Sequence, residues 1–267
     1  MSNESSEVGD ERAVELRRDG DVMVVTMKRP PHNLLTEPFL RELADSLDEA
    51  ARQGRAAVIA SEGRSFCAGA NFRSQSAPDP AASSSFAESA MAFYEQAIRV
   101  FSVPVPLVAA IQGPAIGAGL GLALACDLRV LSEDAWLQAN FVRLGIHPGF
   151  AISHTLPRLV GPGRAADLLL TGRRISPAEA DHMGLAERVV PPGTELEQAI
   201  SIAREIASAA PLAVISTRTT LRQGLLDEVR ATLSHELDEQ ARLAGSADAV
   251  EGVTAMLERR EPNFRGA

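Results

Sequence analysis

Between Arg99 and Asp127 the chain carries no charged side chain, and the later part of that run, from Gly113, reads GPAIGAGLGLALACD. Few structures can house such a segment. It is long enough to cross a bilayer, for which about 20 apolar residues suffice. It could also be the glycine turn of a phosphate cradle, or a helix start whose backbone amides meet a developing negative charge. Composition weighs against the membrane. Pro104, Pro106 and Pro114 interrupt the run and Gln112 sits inside it. Alanine and glycine stand where a lipid-facing helix carries leucine and phenylalanine, and no aromatic belt flanks the run. No membrane partner is expected.

The totals narrow the remaining choices. With 267 residues, 45% hydrophobic and 23% charged, the chain can bury a large core. A net charge of −9 argues against nucleic acid, which needs a basic surface. Small anionic ligands stay open, because a few arginines make a local patch. Two cysteines, Cys67 and Cys126, build no disulfide framework, so a reducing cytoplasm is the expected location. No His/Cys cluster has metal-ligand spacing. The opening MSNESSEVGDER is polar and acidic without a basic-then-apolar leader pattern, and predicts a disordered tail over residues 1–12.

Periodicity predicts a hairpin over 13–30, turning at Asp19-Gly20-Asp21. Thr36 caps a helix with Pro38 in its first turn, closing at Gly54. A buried strand follows over 56–61, then the tight turn EGRSFCAGANF and a mobile loop over 74–85. A helix from about Phe86 to Phe101 leads to a strand over 106–112. Beyond the glycine segment come strands in DLRVLS and near AWLQAN. This alternation predicts an α/β domain with parallel pairings. From about Glu195 the strands stop. Residues 226–243 place Leu226, Val229, Leu233 and Leu237 on one helical face, and a last helix spans about 247–260. The expected division is an α/β core over 13–198 and a helical region over 199–267. Its apolar faces meet a neighbouring subunit or cap their own core; pattern alone allows both.

Gly113, Gly117, Gly119 and Gly121 follow a strand and open a helix. As a dinucleotide turn, with Glu133 as a ribose ligand, the pattern is incomplete: Gly117-x-Gly119-x-x reaches Leu122, and the helix is only about ten residues long. A helix N-terminus has free N–H groups and a positive dipole end. One such amide with a second from SFCAGANF would make an oxyanion hole. Small residues that merely permit close packing remain the alternative.

The stretches GRSFCAGANF, VPLVAAIQGPAIGAGLGLALACDLRV, LGIHPGFAISHTLPRLVG and AEADHMGLAERVV, in this order, resemble the crotonase (enoyl-CoA hydratase/isomerase) superfamily. The likeness runs from the first hairpin to AMLERREPNF and covers nearly the whole chain. It implies a spiral of ββα repeats, a C-terminal helical trimerisation region, and a homotrimer or a hexamer of two trimers. It also implies an acyl-CoA substrate or ligand, with no cofactor bound permanently. Carried over residue by residue, the oxyanion-hole amides are those of Ala70 and Ala118. Coenzyme A would lie near Arg64, Ala68 and the loop after Ala70. Arg259 on the last helix matches a basic contact that family members can receive from a neighbouring subunit. Asn71 stands where many members carry aspartate.

The resemblance also exposes a gap. Hydratases of this family use two glutamates, because one group takes a proton from water while the other handles the α-carbon's proton. Those positions are Gly121 and Phe141 here, and isomerases that keep only the second acid differ from this chain too. His147, beside the acyl pocket, is the first substitute to consider, since histidine titrates in the useful range. His154, Tyr94 and Glu88 are weaker candidates. Gly121, Phe141, Gly149 and Phe150 are expected to line the acyl pocket. His32, His182 and His235 read as surface or boundary residues, Cys126 as packing, and Asp127 as a structural acceptor. The expectation is an acyl-CoA-binding, enoyl-CoA hydratase/isomerase-like protein that polarises a thioester carbonyl without either usual glutamate. The alternatives are a non-catalytic acyl-CoA carrier, a decarboxylase or a thioester hydrolase.

Overall fold

Alternating side chains and a left-handed Gly20 (φ 62) build the first hairpin, in which β1 (Val14–Asp19) runs antiparallel to β2 (Val22–Met27). The structure is a computed structural model describing residues 12–71 and 82–267, with residues 82–88 in backbone only. α1 (Glu37–Gln53) leads to β3 (Ala56–Ser61), and α2 (Ala82–Ser102) to β4 (Leu107–Ile111). Then come β5 (Ala115–Ile116), α3 (Ala118–Ala125), β6 (Leu128–Ser132) and β7 (Leu137–Gln138). A 3₁₀ turn, Phe141–Leu144, precedes α4 (Ile152–Val160), α5 (Pro162–Thr171), β8 (Arg174–Ile175), α6 (Pro177–His182) and β9 (Arg188–Val190). The chain closes with α7 (Glu195–Ser208), α8 (Pro211–Leu221), α9 (Leu225–Ala244) and α10 (Ala247–Glu258).

The main sheet has the order β1-β2-β3-β4-β6-β9, parallel from β2 onward. A small sheet, β5-β7-β8, stands apart from it. Strands β2, β3 and β4 are apolar almost throughout because both faces of the sheet are covered, as parallel sheets require. On one face Met23, Val25, Ile59, Leu107 and Ile111 pack with Leu40, Leu43 and Leu47 of α1. On the other, Val22, Val24, Val58, Val108 and Val130 meet Ala199, Ile200, Ala203 and Ala207 of α7. The caps of α1 fall where the sequence puts them: Thr36 Oγ1 accepts the Phe39 amide at 3.4 Å, and Gly54 ends the helix.

Three boundaries need comment. α2 starts at Ala82, about a turn before the predicted Phe86. The rest of the predicted loop, residues 74–81, lies outside the described residues, as does the predicted tail apart from Arg12. The division after residue 198 falls inside α7, which covers one face of the sheet. In α9 the stripe of Leu226, Val229, Leu233 and Leu237 packs on its own chain's core, and two polar residues, Glu236 and Gln240, are buried with it. Among the described residues no single helix is long and apolar enough to cross a membrane.

Candidate active site

Two backbone amides meet one cavity. Leu35 N donates to the Gly69 carbonyl at 2.8 Å, and Asn71 N donates to the Leu35 carbonyl at 2.9 Å. A trans peptide points its N–H opposite to its C=O. The Ala70 amide, sharing a peptide plane with the Gly69 carbonyl, therefore points away from Leu35. The same argument holds at α3. The Gly117 carbonyl accepts from Gly121 N at 3.1 Å along the helix, so the Ala118 amide points out of the helix start. Neither amide donates to an acceptor among the described residues, and both alanines line the cavity.

Glycines bring the two segments together. A β-carbon on Gly119 would fall 2.0 Å from the Cys67 carbonyl oxygen, so α3 rests directly on the backbone that leads to Ala70. Gly113 sits as closely on Arg64, at 2.2 Å from its carbonyl oxygen. Gly117 adopts φ 53 and ψ −121, open to glycine and strained for other residues. Close packing and amide presentation, alternatives in the sequence, are one arrangement here.

The cavity holds about 460 Å³ and is walled by Leu35, Phe93, Phe141, Leu144, Phe150 and, from α10, Val253, Met256 and Leu257. Ala68, Gly149 and Asn71 also line it. Gly121 does not. A β-carbon there would lie 2.5–2.8 Å from atoms of Phe150, whose side chain covers it. The expectation that Gly121 lines the acyl pocket is corrected accordingly: Phe150 takes that wall.

Phe150 is held in place from behind. It and Ala151 have φ of 61 and 56, a left-handed pair without glycine, which costs on the order of 1–3 kcal/mol per residue. The carboxylate of Glu236 offsets this by accepting from Ala151 N (2.8 Å), Ser153 N (3.2 Å) and Ser153 Oγ (2.6 Å). Burial raises the Glu236 carboxyl above the usual carboxylate range, opposed by these bonds from Ser153 and Ala151. No feature of the sequence marked Glu236 out.

The proposed proton carriers scatter. His147 is not among the cavity-lining residues. Its Nδ1 lies 2.9 Å from the Pro148 carbonyl, and its ring packs edge-on against His235 at 5.7 Å. His154 lies on α4, also off the cavity, with Nε2 buried and unpartnered. Tyr94 does reach the wall; it is buried, and its hydroxyl donates to Gln240 Oε1 at 2.9 Å. Burial raises the Tyr94 phenol well above its ordinary value, so it stays neutral near pH 7. The Glu88 side chain lies outside the described residues. His32, read from sequence as a surface or boundary residue, is exposed at the cavity's edge with Nδ1 3.1 Å from Ser65 Oγ. Glu37 also lines the cavity, with its carboxylate accepting from Arg41 Nε at 2.9 Å. Asn140, between Gly117 and Phe141 at the wall, is a second residue the sequence did not single out.

Arg64 is exposed and Arg259 ends α10 in the left-handed region; neither lines the cavity. Burial raises the thiols of Cys67 and Cys126 to about 12, which leaves both unreactive. Asp127 accepts from Leu107 N, Arg218 and Arg222, and so ties α8 to the sheet. Glu133 is exposed at the end of β6 and does not line the cavity, so the dinucleotide reading loses its acid.

A parallel sheet, a helix start seated on a second loop, and a largely apolar cavity that two backbone amides face define a class of α/β protein. The enoyl-CoA hydratase/isomerase family model matches residues 17–267. A probable enoyl-CoA hydratase of Bacillus subtilis is 36% identical over 258 residues, covering 95% of this chain and 99% of that one. The 2,3-dehydroadipyl-CoA hydratase of Escherichia coli is 33% identical over 252 residues, covering 93% and 97%. The crystal structure of an enoyl-CoA hydratase/isomerase from Pseudoalteromonas atlantica has a TM-score of 0.83 at 30% identity, covering 95% and 100%. The chain belongs to the enoyl-CoA hydratase/isomerase family, and its fold is the crotonase fold.

Proposed function

We propose that this protein binds an acyl-CoA thioester and holds its carbonyl oxygen between the Ala70 and Ala118 amides. The observation that carries this is a pair of amides that line one cavity and have no acceptor among the described residues. An enolate formed at the thioester carries more charge than the ground-state oxygen, so fixed donors favour its formation. Coenzyme A runs past Ala68 towards Arg64, with Arg259 as a phosphate contact from this chain or a neighbouring subunit. The assembly is a trimer or hexamer of this chain.

Within the family this is an enzyme of the lyase or isomerase class whose proton chemistry differs from two-glutamate hydration. Phe141 and Phe150 occupy the two walls where carboxylates would act, and that favours a second reading, an acyl-CoA carrier without turnover. A panel of saturated, enoyl, 3-hydroxyacyl and malonyl-type CoA thioesters, followed by mass spectrometry for both depletion and retained ligand, tests both. Depletion with a new product supports the enzyme, and retention without depletion supports the carrier. Failure to bind any thioester overturns the proposal.

A further inference from the structure

Of the polar side chains that line the cavity, two are buried. Tyr94 and Gln240 are 7% and 8% exposed, and both line the cavity. They come from α2 and α9 and meet beside Gly149, where a β-carbon would fall 2.5 Å from Tyr94 Oη and 2.6 Å from Gln240 Nε2. Glycine at 149 makes the room they occupy.

The hydrogen bonds fix which way each group points. Gln240 Nε2 donates to the carbonyls of His147 (3.1 Å) and Pro148 (3.3 Å). Flipping the amide would set its oxygen against two carbonyl oxygens, so Oε1 must face Tyr94. The Tyr94 proton is then committed to Gln240 at 2.9 Å. The Phe150 amide also points at the Tyr94 oxygen. What remains on Oη is a lone pair with no proton to offer, because a phenol has one donor and two acceptor sites.

We propose that Tyr94, oriented by Gln240, selects the acyl group, and that the preferred group carries a hydroxyl: a hydroxyacyl thioester over the saturated chain of the same length. This rests on the acyl-CoA reading above. A methylene beside Oη leaves its second acceptor site unfilled, and a ligand carbonyl or carboxylate meets that site lone pair to lone pair. An ammonium would bring three donors to a single acceptor in an apolar wall. A hydroxyl brings one.

The test is titration calorimetry with butyryl-, hexanoyl- and octanoyl-CoA against their 3-, 4- and 5-hydroxy counterparts, read as the ratio of affinities within each variant so that a general loss cancels. At least one hydroxylated ligand is expected to bind about tenfold tighter than its saturated partner, with Tyr94→Phe bringing that ratio near one. Gln240→Met releases the Tyr94 proton, and the preference should move to the oxoacyl analogue, which a merely structural Tyr94–Gln240 bond would not produce. Equal affinities in every pair, or a hydroxyl preference that survives Tyr94→Phe, overturn the proposal while leaving acyl-CoA binding intact. Binding of none of these thioesters removes both.

Discussion

Phe150 lies against the α-carbon of Gly121 so closely that a β-carbon on Gly121 would fall 2.5 Å from the β-carbon of Phe150. No rotamer of Phe150 relieves that contact, since its β-carbon moves only with the backbone. Gly121→Ala should therefore cost about 1–3 kcal/mol, read from urea denaturation. Combined with Phe150→Gly, which removes both the contact and a left-handed phenylalanine, the loss should be smaller than the sum of the two single changes. The variant carrying Gly121→Glu and Phe141→Glu should fail to hydrate crotonyl-CoA unless Phe150 is also truncated. Hydration by the double variant would show that the turn carrying Phe150 shifts to make room.

Ala118 offers a way to delete a backbone donor. Proline is well accepted at the first position of a helix. Gly117, at φ 53 and ψ −121, holds the mirror image of the extended conformation a residue before proline prefers, and glycine reaches both hands. Ala118→Pro should leave the fold intact and slow exchange of the acyl α-proton in deuterated water by about 10²–10³-fold. Ala118→Ser keeps the amide and should exchange at the parent rate. Equal rates in the proline variant would remove Ala118 from the polarising pair.

The pH dependence of stability should carry the mark of His154. Burial, with the charge of Arg158, lowers its pKa below the ordinary 6.5. Between the lowered value and 6.5 the unfolded chain binds the proton more readily than the folded one, so stability falls as pH drops through that window. His154→Leu should flatten the decline of the urea midpoint between pH 7.5 and 5.5. An unchanged slope would assign the decline to other groups.

Assembly is expected from the apolar side chains that the single chain leaves in solvent. Leu212 and Leu221 of α8 are 87% and 73% exposed. Light scattering should give a mass near three or six times 28.3 kDa. Replacing both leucines with lysine should lower that mass if α8 lies in the contact. A monomer of the unaltered chain at micromolar concentration would overturn the expected trimer.

How far the sequence could be read depended on the range of the interaction. Thr36, Gly20 and Gly54 act on residues within a turn of themselves, so hairpin and helix limits were legible. Ala70 and Ala118 were legible through the family resemblance of their glycine-rich segments; the glycine spacing by itself leaves close packing open as an alternative. His147 and Gly121 were misplaced for the opposite reason. Whether a loop histidine faces inward depends on its neighbours from other elements, and His235 comes from α9. Gly121 was read as space, but Phe150 fills it through a turn braced by Glu236, a contact that spans much of the sequence. Gln240 and Glu236 gave no signal on α9 because a buried polar residue looks like an exposed one until its partners are known.

All eight residues of α3 are alanine, glycine or leucine, all buried, and the polar group it presents is main chain. Every amino acid except proline carries that N–H. Most single substitutions at Ala118 therefore leave that amide chemically present, whereas one base change in a glutamate codon can erase an acid. Random mutation strips side-chain proton carriers from such a scaffold sooner than it strips a main-chain donor. If the proposed grip on a thioester is right, a lineage on this scaffold can exchange one reaction for another, or for none, and keep that grip.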